Sequence, residues 1–261
     1  MGAIMARGMV NDLAYVLLAI GLFAALLLLL EVGRWAGRRE AVDPDRPPAG
    51  VGVVQAALFA LLGLLIAFSF SGAASRLDWR RQLIVEEANA IRTAYLRLDL
   101  LPAQARPTLR AKFREYLQTR LAVHQTPPDS TASRQALVRT NAIEDEIWGL
   151  ALAGSEPASR FLILPTLNAM FEVATRRTAS MRTHPPLIIF VMLVGCALIS
   201  AVLVGHAMAP GATRSWTHSL AFAVMIALAV YVILDLEHPR TGLIRIDAFD
   251  QVLVDLAEKI R

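Results

Sequence analysis

The side chains able to do chemistry in this sequence are few and widely spaced. Five histidines are scattered over 261 residues, with no H-E-x-x-H pair and no spacing that sets two of them side by side as metal ligands. No G-x-S-x-G, P-loop or G-x-G-x-x-G stretch is present, so hydrolytic and nucleotide chemistry lack a recognisable carrier. Glu86 and Glu87 are adjacent, and adjacent residues on a helix do not face the same way, so they make no acid–base dyad. The run Glu144, Asp145, Glu146 lacks the spacing of a calcium loop and reads as a solvated helical face. Cys196 is the one cysteine; it excludes an intramolecular disulfide and reads as a small apolar packing residue. The expectation is therefore no enzyme, no metal and no cofactor.

What remains is charge placed against apolar sequence. Arg76, Arg80 and Arg81 follow one long apolar block, with Asp78 among them. A ring of such arginines at a pore mouth would attract anions; anchoring to anionic lipid is the commoner use of interfacial arginines. Asp235 and Glu237 end another block, where a carboxylate wants a partner; Arg240 and the arginines after the second block are the candidates. Of Glu86 and Glu87, one is free to face an oligomer axis while the other holds an arginine such as Arg92. Before these charges, Ile66 and Phe70 are four residues apart and share a helical face, with Gly63 and Phe59 in the preceding turns. Repeated around a ring of subunits, such apolar side chains narrow a pore and gate it by dewetting. Residue by residue, contact with lipid or neighbouring helices accounts for them equally well. Ser69 and Ser71 can offer hydroxyls to an ion or bond back to their own helix.

The elements that must position these residues are legible from hydropathy. The chain is 56% hydrophobic, above the ~45–50% usual for soluble domains. The excess lies in four blocks, Leu13–Leu30, Val51–Ser71, Leu187–Ala207 and Ser215–Leu236, each long enough to span a bilayer at about 20 helical residues. The first lacks a small-residue cleavage site and fits an uncleaved anchor. This predicts an all-α polytopic membrane protein with membrane lipid as its surroundings. Four spans put both termini and the long central stretch on one side. The arginines nearest the membrane favour that side as cytoplasmic, although Arg34, Arg38 and Arg39 pull the other way. The net charge of +4 is explained by these borders, and no nucleic-acid motif accompanies it.

Residues 72–186 show no strand pattern and predict a helical bundle. The second span continues past the bilayer through "RRQLIVEEANAIRTAYLRLDL", where Leu77, Ile84, Ala88, Ile91, Tyr95 and Leu98 make one apolar stripe; Gly72 is the place for a bend. Further helices are expected over about 107–124, 133–152 and 158–182, with Ser130 or Thr131 as a cap. Residues 237–261 carry Phe249, Leu253, Leu256 and Ile260 on one face, a terminal amphipathic helix docked on the bundle.

"LLGLLIAFSFSGAASRLDWRRQLIVEEANAIRTAYLRLDLLP" and "DLEHPRTGLIRID" resemble the two recurrent blocks of the prokaryotic bestrophin-like domain family, from the second span to the C-terminus. More distantly the chain is similar to the bestrophin anion channels, whose second-span exit Phe70, Arg76, Trp79 and Arg80 or Arg81 echo, while Ala73 and Arg76 stand where those channels have Asn and Tyr. The resemblance implies a homo-oligomer, a pentamer, with four spans per subunit. Its second span lines a central ion pore constricted at Ile66 and Phe70, beside Gly63 and Ser69, and opening at Arg76, Arg80 and Arg81. The competing reading is a non-conducting scaffold or sensor whose helical bundle binds a partner.

Overall fold

The structure is a computed structural model and describes residues 2–39, 51–126, 130–209, 216–238, 244 and 247–260. Among these residues there are eight α-helices and no strand: α1 (Gly2–Arg39), α2 (Val51–Arg97), α3 (Arg106–Gln125), α4 (Thr131–Gly154), α5 (Pro157–Ser180), α6 (Leu187–Ala207), α7 (Trp216–Glu237) and α8 (Asp247–Lys259). Four are long and apolar enough to cross a membrane: Leu13–Arg39 within α1, α2 with the turn that follows it, α6 and α7. The protein is thus an all-helical, multi-pass membrane protein.

The chain divides into two compact units. The membrane unit holds residues 5–76 and 184–244, and so contains α1 from Met5 on, the first half of α2, α6 and α7. Small residues set its packing. A Cβ added to Gly33 would lie 2.0 Å from the Val202 carbonyl oxygen, and one added to Gly205 would lie 2.0 Å from that of Leu30. At this crossing α1 and α6 meet backbone to backbone, the close approach that small residues permit where no hydrophobic effect drives helices together. Ala197, Ala201, Ala223 and Ala227 are buried on α6 and α7. Gln55 donates to the Leu203 carbonyl at 2.8 Å, and Phe59 meets Phe222 edge to face.

The second unit holds residues 1–4, 77–183 and 245–261. Its core gathers Ile91 and Leu98 of α2 and the turn after it, Phe113, Tyr116 and Leu117 of α3, Ile143 and Ile147 of α4, Leu167 and Met170 of α5, and Leu253 and Leu256 of α8. The terminal helix therefore docks on the bundle through Leu253, Leu256 and Ile260 of the apolar face anticipated for it; the side chain of Phe249 lies outside the described residues. Helix α4 starts at Ser130, whose hydroxyl accepts from the Ser133 amide, filling one of the donors a helix start leaves open. Pro107 and Pro157 stand in the first turns of α3 and α5, where a missing N–H costs nothing.

Helix α2 belongs to both units and continues as helix through Gly72. Its 47 residues are more than twice the about 20 that a hydrocarbon core of ~30 Å takes. The apolar stripe from Leu77 to Leu98 supplies the reason. Once outside the lipid the helix finds a second apolar environment in the bundle core.

Candidate functional site

The site is the long helix α2 and the charges that hold it. In its first half one side is buried at Leu62 and Ala73. Along another side Ala56, Ala60, Gly63 and Ala67 are exposed in the single chain and succeed one another at helical spacing. Nothing lies within 4 Å of a Cβ added at Gly63. Phe70 shares that side and is 47% exposed; Ile66 is half-buried at its edge, and Ser69, also half-buried, lies on the side of Leu62 and Ala73. A neighbouring side carries Val53, Leu64 and Phe68, all exposed. One edge of the helix is therefore smooth and small and the next is bulky and greasy. The small-residue line was readable in the sequence as i, i+4, i+7, i+11 spacing and was missed there.

In the second half the partners of each charge are in place. Glu87 is fully buried between Arg120 and Arg177. Arg120 donates through Nε to its Oε1 and through Nη2 to the Ala174 carbonyl. Arg177 donates to Glu87 Oε2 at 2.6 Å and to Asp250 at 2.5 Å. One carboxylate of α2 is thus tied to α3, α5 and α8. The expected partner for this pair of glutamates, Arg92, is instead exposed, because Glu87 points into the bundle and Arg92 points away from it. Glu86 bonds to Gln82 at 2.9 Å and lies 3.8 Å from Arg176.

The three arginines of the expected pore mouth have different surroundings. Arg76 donates to Glu237, which is 1% exposed, through Nε at 2.8 Å and through Nη2. Arg80 is 5% exposed and donates to the carbonyls of Ser180 and Thr183 at 3.3 and 3.0 Å, where α5 ends and its carbonyls need donors. Arg81 is half-buried and pairs with Asp78 at 3.4 Å, an exposed pair of small energetic weight. Asp235 accepts from the Ile244 amide at 3.0 Å. Glu237 also has His184 at 3.9 Å; the His184 ring stacks on His238 at 5.1 Å, and the Tyr15 ring lies 4.8 Å from that of His238. Arg240 lies outside the described residues.

Two members of the acidic run on α4, Glu144 and Glu146, are engaged by protein groups, while Asp145 is exposed. Glu146 and Glu115 share Lys112, and Glu115 also pairs with Arg139. Glu144 accepts from the Tyr116 hydroxyl at 3.2 Å. Burial raises the Glu144 carboxyl from its ordinary 4.5 to about 7, against the lowering effect of Tyr116 and Arg120. No group of three His, Cys, Asp or Glu among the described residues is placed to hold a metal ion.

Four spans, an uninterrupted second helix and a helical bundle built on it are the arrangement to compare with known proteins. The family model of the bestrophin-like domain matches residues 12–248. The chain belongs to the bestrophin-like domain family. The match begins at the first span, so the family likeness reaches further toward the N-terminus than the two sequence blocks marked. Among solved structures, a mutant of a bacterial bestrophin homologue from Klebsiella pneumoniae is similar at a TM-score of 0.65 and 15% identity, covering 93% of this chain and 98% of that one. A second mutant of that homologue gives 0.64 at 16% identity, with 92% and 98% covered. No curated protein matches in sequence. At this identity the structural likeness speaks for the fold, and the family makes this bestrophin-like chain a channel-like membrane protein.

Proposed function

We propose that copies of this bestrophin-like chain stand around a shared axis with α2 facing it, and that the enclosed path conducts ions with a preference for anions. The observation that carries the reading is the bare edge of α2. Ala56, Ala60, Gly63 and Ala67 are exposed within a transmembrane segment, and a Cβ at Gly63 would touch nothing. A smooth edge next to a bulky one suits a helix that turns small residues to a lumen or a close neighbour and large ones to other apolar surfaces. Phe70, on that edge, and Ile66 beside it form the constriction in this reading, gating by dewetting. Ser69 lies at the same level. Arg80, whose contacts with the Ser180 and Thr183 carbonyls leave its charge in place, contributes positive potential where the path leaves the membrane, while Glu237 and Asp78 offset the charges of Arg76 and Arg81. Glu87, Asp235 and Glu237 act by pairing charge to hold the spans and the bundle. The subunit number, five, comes from the bestrophin resemblance. The arginine distribution favours the termini and the bundle in the cytoplasm. A groove of about 660 Å³ lined mainly by Leu27, Leu28, Val32, Trp35 and Trp216, with Glu31 and Ser219 as its polar members, supports contact with lipid near the bilayer border, the level where membrane proteins favour tryptophan.

A non-conducting scaffold is favoured by one feature of the bundle: Val138 and Phe161 are 71% and 82% exposed, a place for a partner. Flux decides between the two. Liposomes holding the protein should release chloride faster than empty vesicles, and Ile66→Ala and Phe70→Ala should each raise the rate. Particles that are monomeric in detergent, or vesicles as tight as empty ones for wild type and both variants, would refute conduction.

A further inference from the structure

Arg34 lies one turn beyond the first apolar block, on the buried face of α1 with Leu26, Leu30 and Gly33. The backbone contact of α1 with α6 passes beside it: a Cβ on Gly205 would lie 3.0 Å from the Arg34 amide nitrogen. The side chain is held inside the membrane unit with 6% exposed. A guanidinium cannot relieve burial by losing its proton. Yet its Nε and Nη2 are shielded and make no hydrogen bond. The cation of Arg39 in the same helix lies over the Trp35 ring at 3.7 Å, and that of Arg76 meets Glu237. Arg34 alone of these three has neither. The two unused nitrogens are not an arbitrary pair. Their N–H bonds run parallel along the side-on edge of the guanidinium, the edge whose spacing matches two oxygens of one carboxylate or phosphoryl group. On α6, Ser200 is fully buried and its hydroxyl likewise has no partner.

We propose that the side-on edge of Arg34 binds an anion that presents two adjacent oxygens, a phosphoryl or carboxylate group, at the end of α1 remote from its N-terminus. Shielding from water strengthens such a charge-assisted pair. The inference does not depend on conduction.

The test uses the full chain in an uncharged detergent after lipid exchange, melted at constant ionic strength in chloride, acetate or inorganic phosphate, and in micelles containing phosphatidylglycerol. Oxyanion should raise the wild-type melting temperature saturably above chloride. Arg34→Met should abolish the rise, and Arg34→Lys, which keeps the charge and loses the parallel edge, should weaken the apparent affinity about tenfold. In chloride, Arg34→Met should melt no lower than wild type, because it removes an uncompensated buried charge. A rise with acetate or phosphate identifies a free anion as the occupant; a rise with phosphatidylglycerol alone identifies a lipid headgroup. The proposal is overturned by a wild type indifferent to all three, by a rise that Arg34→Met retains, or by an Arg34→Met protein that melts well below wild type in chloride.

Discussion

Replacing Glu87 by Gln keeps the shape of the side chain and removes its charge. Arg120 and Arg177 are 1% and 2% exposed, so neither can recover its lost counter-charge from water. Arg177 retains Asp250 at 2.5 Å, while Arg120 retains the Ala174 carbonyl and the Thr178 hydroxyl, which are neutral. Breaking a buried ion pair by removing one partner costs about 3–5 kcal/mol. The amide oxygen of Gln preserves one acceptor, which places the expected loss near ~3 kcal/mol. For a folded unit of this size that is roughly 10 °C in melting temperature. The measurement is the temperature at which the full chain in detergent leaves its monodisperse chromatographic peak. The double variant Glu87→Gln with Arg120→Met removes one stranded cation as well and should recover about half of the loss. A fall of less than ~2 °C for Glu87→Gln, or a double variant no better than the single one, would show that the network does not hold α2 in the bundle.

The α1–α6 crossing predicts that Gly33→Ala and Gly205→Ala each destabilise by at least ~1–3 kcal/mol, since each Cβ meets a carbonyl oxygen at 2.0 Å. Melting the pair together should show less than the sum, because one separation of the helices relieves both. Glu144, raised to about 7 by burial, gives a pH dependence of definite sign. The folded state holds its proton more tightly than the unfolded chain, so stability is greatest below the usual 4.5 and falls as pH rises toward 7. Partial solvent contact of the carboxyl screens the effect to about 1–2 kcal/mol; Glu144→Gln should flatten the melting temperature between those pH values. Ser130→Ala, which deletes the cap on α4, should cost about 1 kcal/mol, read as a fall of ~3 °C.

How far these features could be read in advance depends on whether a neighbour in sequence or a neighbour in space creates them. The stripe from Leu77 to Leu98 is periodic along the chain, so the continuation of the second span beyond the lipid was visible without coordinates. The cap at Ser130 and the terminal amphipathic helix were visible for the same reason. Glu87 shows the opposite case. Its partners Arg120 and Arg177 are 33 and 90 residues away, and local spacing pointed to Arg92, which faces out. Arg80 was grouped with Arg76 and Arg81 by position; only the end of α5 arriving beside it turned its charge to two carbonyls.

By itself the sequence determined that the chain is helical and crosses a membrane four times, because twenty apolar residues without charge have no other stable form in so small a protein. It determined that the second crossing carries on as helix, because an apolar stripe at helical period needs no outside information to be helical. Tertiary structure alone decided which cations are neutralised and which are not, since burial and pairing are set by whichever helix happens to lie opposite. It also decided that Gly33 and Gly205 mark a backbone contact, while Gly63, chemically the same residue, opens on empty space.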